Sequence, residues 1–151
     1  MRALKRQSIV PRIDGITRDL QRLRELSRHS LDEFSRRGDI FALAQFYLRQ
    51  TLEGVFHIGS HILSRLPGGR ATEYKEIARL LGEQNVVPIT FAQQSLIPMA
   101  GYRTRLTHFY YEVGPQEILD ILQKRLGEIE QFLDDVRDLL QDPTRLHLTI
   151  E

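Results

Sequence analysis

Apolar residues recur three and four positions apart along most of the chain, the spacing of helices with one buried face. Ile13, Ile16, Leu20, Leu23 and Leu26 mark one stripe on a first helix whose other positions are strongly basic. Ser30 and Glu33 then form the Ser-x-x-Glu signature of a capping box, which starts a new turn after a break at Ser27–Ser30. From Asp39 to Leu66 the apolar front is broad (Phe41, Ala44, Leu48, Leu52, Val55, Phe56, Ile62, Leu66), which predicts a central helix packed on several neighbours. Pro67-Gly68-Gly69 stops it. Thr72 to Leu81 reads as a short helix closed by Gly82 and the polar Glu83-Gln84-Asn85. Pro88 sits near the next helix start, where its missing donor is harmless. That helix runs to about Val113 and carries Pro98 and Gly101, so a kink is expected in its middle. Gly114-Pro115 opens a last helix in which Leu119, Leu122, Leu126, Ile129, Leu133, Val136 and Leu140 form a heptad seam. Strand alternation is confined to a weak trace in Leu146–Ile150.

These elements predict an all-α, up-and-down bundle of four or five helices. Residues 1–10 are expected to be a frayed basic arm, 11–142 one helical domain and 143–151 a tail. The length of 151 residues suits one domain. The absence of cysteine excludes a disulfide scaffold, a thiolate zinc site, an iron–sulfur cluster and a thiol nucleophile. No apolar run reaches the roughly 20 residues that span a bilayer, and the first residues lack the apolar core of a signal peptide. A soluble, cytoplasmic protein is the expectation.

The net charge of +1 hides a polarity. Residues 1–28 hold eight basic side chains against Asp14, Asp19 and Glu25, whereas residues 112–142 hold nine acids against Lys124, Arg125 and Arg137. The plain expectation is two solvated helix faces that attract each other in the fold. The sharper alternative is a basic strip offered to phosphates, with the acidic segment facing a basic partner.

Among the five histidines, His57 and His61 lie one helical turn apart, a spacing at which two imidazoles can share a metal. No Glu stands between them and no third ligand is evident, so a metal-dependent phosphohydrolase ranks far behind and no metal or cofactor is expected. The segment from Met99 to Gly114 is richer. It places a guanidinium at Arg103, an imidazole at His108 and a phenol at Tyr110 within one short stretch. Those groups can cleave a phosphodiester without metal. An imidazole takes the proton of a ribose 2′-hydroxyl or protonates the leaving oxygen, and a guanidinium neutralises the phosphorane. A helix end with packed aromatics and solvated arginines would show the same spacing.

Arg103, four residues, His108, one residue and Tyr110 match the Arg-x4-His-x-Tyr motif of the HEPN superfamily. With the lead-in from Leu96 through Met99-Ala100-Gly101 to Arg103, the chain most resembles the HepT-like toxins over roughly residues 12–141. The resemblance implies a HEPN-type endoribonuclease toxin neutralised by a minimal nucleotidyltransferase antitoxin of the MNT type. It implies Arg103 and His108 as the ribonuclease site, Tyr110 as the tyrosine on which the antitoxin adds AMP, RNA as substrate, and a homodimer with two motifs facing across a cleft.

Helix geometry bears on that dimer independently. At 100° per residue Arg103 and Tyr110 lie about 20° from alignment, but His108 is about 140° round from Arg103. One straight helix therefore aims the two poorly at one phosphate, and either a loosened helix end or a second subunit on a two-fold axis would relieve this. Tyr111, about 100° from Tyr110, is expected to pack. The family pattern carries Asn or another polar group after the arginine, where this chain has Thr104, which keeps a hydroxyl but loses the amide's donor–acceptor pair. A non-catalytic helical module that binds a minimal nucleotidyltransferase is the alternative, favoured by Thr104; the intact Arg103, His108 and Tyr110 favour the enzyme.

Overall fold

The computed structural model describes residues 2–151. Its elements are β1 (Arg2–Leu4), α1 (Arg6–Leu26), α2 (Leu31–Arg36), α3 (Gly38–Ser64), α4 (Tyr74–Glu83) and α5 (Ile89–Phe91). A π-helical segment, Ala92–Leu96, continues α5 into α6 (Ile97–His108), and a 3-10 turn follows at Tyr110–Glu112. Then come α7 (Pro115–Lys124), α8 (Leu126–Gln141), a 3-10 turn at Pro143–Leu146 and β2 (Leu148–Ile150). The all-α bundle expected from the periodicity is present. Among the described residues no helix is long and apolar enough to cross a membrane.

The α1 stripe is buried at Ile13, Ile16, Leu20 and Leu23 and packs chiefly on α3, which runs through the middle of the bundle. Glycines on α3 permit that approach. A Cβ on Gly54 would lie 2.9 Å from the Ile16 side chain, and one on Gly59 would lie 2.8 Å from Leu81 on α4. Ser30 and Glu33 form the capping box reciprocally: the Ser30 hydroxyl accepts from the Glu33 N–H at 3.1 Å and the Glu33 carboxylate accepts from the Ser30 N–H at 3.2 Å. The stop after α3 uses Gly68 at φ 67°, a left-handed conformation.

Three expectations are corrected. Residues 2–10 are not a frayed arm: β1 pairs in parallel with β2, Arg2 opposite Leu148 and Leu4 opposite Ile150, and α1 begins before Pro11. The cause is burial, since Leu4 and Ile9 are fully covered and each contributes about 1.5–3 kcal/mol of apolar transfer. The Leu146–Ile150 trace is thus half of a two-stranded ribbon with a partner across the whole chain.

The last helix is not continuous. Arg125, at φ −124° and ψ −1°, separates α7 from α8, although the seam residues on both sides stay buried as far as Val136. Leu139 rather than Leu140 then takes the fully buried place.

The irregularity before α6 also lies earlier than expected, at Ala92–Leu96 instead of Pro98–Gly101. Pro98 has no N–H for the Gln94 carbonyl four residues back. The Arg125 guanidinium donates to that carbonyl at 3.4 Å and holds Glu128 at 2.6 Å, so the break in one helix answers the gap in the other.

The basic and acidic segments meet in one ion pair among the described residues, Arg24 with Glu130 at 2.6 Å. Both side chains are about half exposed, so the pair is worth little. Most of the first helix's positive charge is left for other uses.

Candidate active site

The motif lies where α6 stops. Phe109 turns out of the helix at φ −134°, ψ 36°, after its N–H has made the last helical bond to the Arg105 carbonyl at 2.8 Å. Three consecutive aromatics are weak helix formers, and Pro115 disfavours helix at Gly114. Gln45 on α3 fixes the turn by donating its amide to the carbonyls of Tyr110, at 3.3 Å, and Val113, at 3.4 Å. The motif is therefore split between helix and turn, and the alignment of Tyr110 with Arg103 expected from an unbroken helix does not hold.

Arg103 faces inward from α6 with a side chain only 16% exposed. Its guanidinium reaches Glu53 on α3 at 3.4 Å and stacks over the Tyr74 ring on α4 with 4.2 Å from Cζ to the ring centre. Its Nε is buried and has no hydrogen-bond partner among the described residues. A buried donor left unspent beside an ion pair costs free energy, a usual mark of a site kept for another purpose.

His108 is exposed at the helix end and its ring meets Phe109 edge-on. Arg103, His108, Thr104, Phe109, Tyr74 and Lys75 border one groove of about 560 Å³, so a single chain brings Arg103 and His108 to the same cavity. Tyr110 lies beyond the break and does not border it. Tyr110 is 60% exposed, and Tyr111, expected to pack, is 71% exposed. Thr104 spends its hydroxyl on its own helix, donating to the Ala100 carbonyl at 3.1 Å. Beside it, Arg105 clasps Glu117 of α7 through both nitrogens, at 2.6 and 3.0 Å, which raises the Arg105 pKa and ties the motif helix to α7.

His57 and His61 face α1. The His57 Nδ1 lies 2.8 Å from the Arg12 guanidinium, and the His61 Nε2 accepts the Lys5 backbone N–H at 3.1 Å. Burial first, and neighbouring cations second, hold both imidazoles below the ordinary value of 6.5. Among the described residues no three metal-ligating side chains converge.

Glu53 and Tyr74 escaped the sequence reading. Neither stands in a motif, and each meets Arg103 only through packing of α3 and α4 against α6.

A family model described as "Ribonuclease HepT-like" matches residues 16–136. A relative from Aphanizomenon flos-aquae, described as tRNA nuclease HepT, is 24% identical over 132 residues, covering 87% of this chain and 89% of the relative. The fold resembles a crystal structure of a mutant MntA-HpeT toxin-antitoxin, with TM-score 0.75, 19% identity and coverage of 87% of this chain and 98% of that one. It equally resembles a toxin-antitoxin crystal structure with AMP-PNP, with TM-score 0.74, 20% identity and coverage of 85% and 95%. The matched family region contains Arg103, His108 and Tyr110 and leaves out β1 and β2.

Proposed function

The chain belongs to the ribonuclease HepT-like family, and on that footing we propose that it is the ribonuclease toxin of a cytoplasmic toxin–antitoxin pair, cleaving RNA without a metal. The observation that carries this reading is the shared groove of Arg103 and His108. The His108 imidazole removes the 2′-hydroxyl proton as that oxygen attacks phosphorus. The bond from phosphorus to the 5′-oxygen then breaks, giving a 2′,3′-cyclic phosphate and a 5′-hydroxyl. Arg103 keeps Glu53 on one nitrogen and turns its remaining donors, the unpartnered Nε–H among them, to the phosphorane oxygens, whose charge it offsets as it grows. The leaving oxygen needs its own proton. One chain supplies one motif imidazole, so a homodimer that presents a second copy of His108 across the cleft completes the acid–base pair.

The partner in this reading is a minimal nucleotidyltransferase. The exposed phenol of Tyr110 attacks the α-phosphorus of ATP in that enzyme and displaces pyrophosphate, leaving AMP on the toxin beside its site. Exposure alone does not choose between Tyr110 and Tyr111; the motif spacing assigns Tyr110.

The test is incubation of purified protein with a mixed RNA pool in EDTA, beside His108→Ala and Arg103→Ala proteins of unchanged oligomeric state. Cleavage by wild type alone is expected. No cleavage by protein that mass spectrometry shows to be free of AMP overturns the enzyme. It favours the non-catalytic module, for which the internally bonded Thr104 hydroxyl is the supporting observation.

A further inference from the structure

The basic character of the first helix has so far no use. The cations of the chain are not spread evenly over ion pairs. Lys124 and Arg137, on α7 and α8, each meet an acid, as do Arg36, Arg37 and Arg79. Lys5, Arg12 and Arg65 are among the cations that make no salt bridge among the described residues, and they are the ones set around His57 and His61.

These three lie together. Glu53, His57 and His61 on α3 and Arg65, the residue that caps its end, succeed one another every four residues, a line that winds slowly round the helix over about 18 Å. Lys5 and Arg12 join it from the chain beside α3, Arg12 through the His57 Nδ1 and Lys5 through its N–H on the His61 Nε2. The same line ends on the motif. The charges acting on His57 are those of Arg12, Glu53 and Arg103, and those acting on His61 are Arg65, Lys5 and Arg12. Neutral imidazoles serve as struts here: each accepts a hydrogen bond and so fixes a cation-bearing residue, without adding a charge of its own. The acids along the line are already engaged, Glu53 with Arg103 and Asp19 with Gln50 at 2.7 Å and Arg22 at 3.6 Å.

We propose that Lys5, Arg12 and Arg65 form a phosphate-binding track that carries the RNA backbone along α3 into the Arg103–His108 groove. Such a track holds strands of any sequence, since cations read phosphates and not bases. It makes the region outside the family match part of the substrate site. The inference rests on the ribonuclease reading for its ligand, but its failure is separable from that reading.

The experiment measures binding of a fluorescein-labelled oligouridylate to full-length His108→Ala protein by anisotropy across a salt series, with Lys5→Gln, Arg12→Gln and Arg65→Gln added singly. Each substitution is expected to lower the salt slope by about 0.7 and, at physiological salt, to weaken binding roughly fourfold. In an otherwise wild-type background each raises KM and leaves kcat unchanged. Arg137→Gln, on α8, changes nothing. Affinity and slope unaltered by all three substitutions overturn the track, as does an absence of RNA binding. Binding that depends on the track, with no cleavage by the unmodified wild-type protein, upholds it and removes the ribonuclease reading alone.

Discussion

Arg103 and Tyr110 are seven residues apart in one motif, and the fold treats them in opposite ways. Arg103 is enclosed, stacked on Tyr74 and paired with Glu53, so three helices set its position. Tyr110 stands on a short turn fixed through backbone carbonyls by Gln45, its ring left in solvent beside Tyr111. His108 falls between these extremes, at the last helical position and exposed. One end of the motif is thus built in advance and the other is presented. A group that must meet a developing charge gains from being fixed, because no reorganisation is then needed. A group that must enter another enzyme's site gains from being accessible.

The contrast breaks most visibly in activity. His108→Ala is expected to lower RNA cleavage by about 100- to 10,000-fold, while its melting temperature stays close to that of wild type, because the exposed ring meets only Phe109, edge-on. Arg103→Ala should match that loss and also destabilise the protein, by about 0.5–3 kcal/mol, because its enclosed side chain no longer packs on Tyr74. Denaturant titrations of the two variants separate them; equal stabilities would erase the distinction between the enclosed and the presented end.

Tyr74→Leu sharpens the comparison at smaller scale. It keeps the apolar contact and removes the stacked ring, at a cost of about 0.5–2 kcal/mol in the positioning of Arg103. The loss should appear in kcat more than in KM. At the presented end, Tyr110→Phe should abolish the AMP mass increment produced by the nucleotidyltransferase, and Tyr111→Phe should preserve it. Both should leave stability within about 0.5 kcal/mol.

The smallest effect is one of pH. His57 and His61 have folded pKa values depressed by burial and cations, so the unfolded chain takes up protons more readily. Stability is then full above about 6.5 and declines as pH falls through that value. Thermal melts between pH 8 and 5 should show the decline, and it should diminish in a His57→Gln, His61→Gln double variant.

What the sequence disclosed follows from how local each feature is. The stripe of Ile13, Ile16, Leu20 and Leu23, the broad face of α3 and the Ser30–Glu33 box are set by residues three and four apart, and all appear as read. The N-terminal strand was illegible because its partner lies at the far end of the chain, and the basic residues around Leu4 and Ile9 masked their burial. The break at Arg125 has no proline to announce it, and Gly127, two residues on, lies inside the first turn of α8; one contact of the Arg125 side chain is with the Gln94 carbonyl, far away in sequence. The motif residues themselves were legible by spacing. Their shared face was not, because the helix stops at His108 and the ideal 100° step ends with it. Glu53 and Tyr74 depend on tertiary approach alone.

The pairing of β1 with β2 carries a consequence for the order in which the protein comes into being. A ribosome completes β1 before β2 and reaches β2 only after the intervening helices have been made, roughly 7–30 s later at ordinary rates of synthesis. Until then Leu4 has no strand to lie against. The bundle can consolidate around α3 while the first residues, and Lys5 with them, still wait. The nascent chain would therefore hold a formed Arg103 pocket before its N-terminal cation is in place, and full grip on RNA would be among the last properties it acquires.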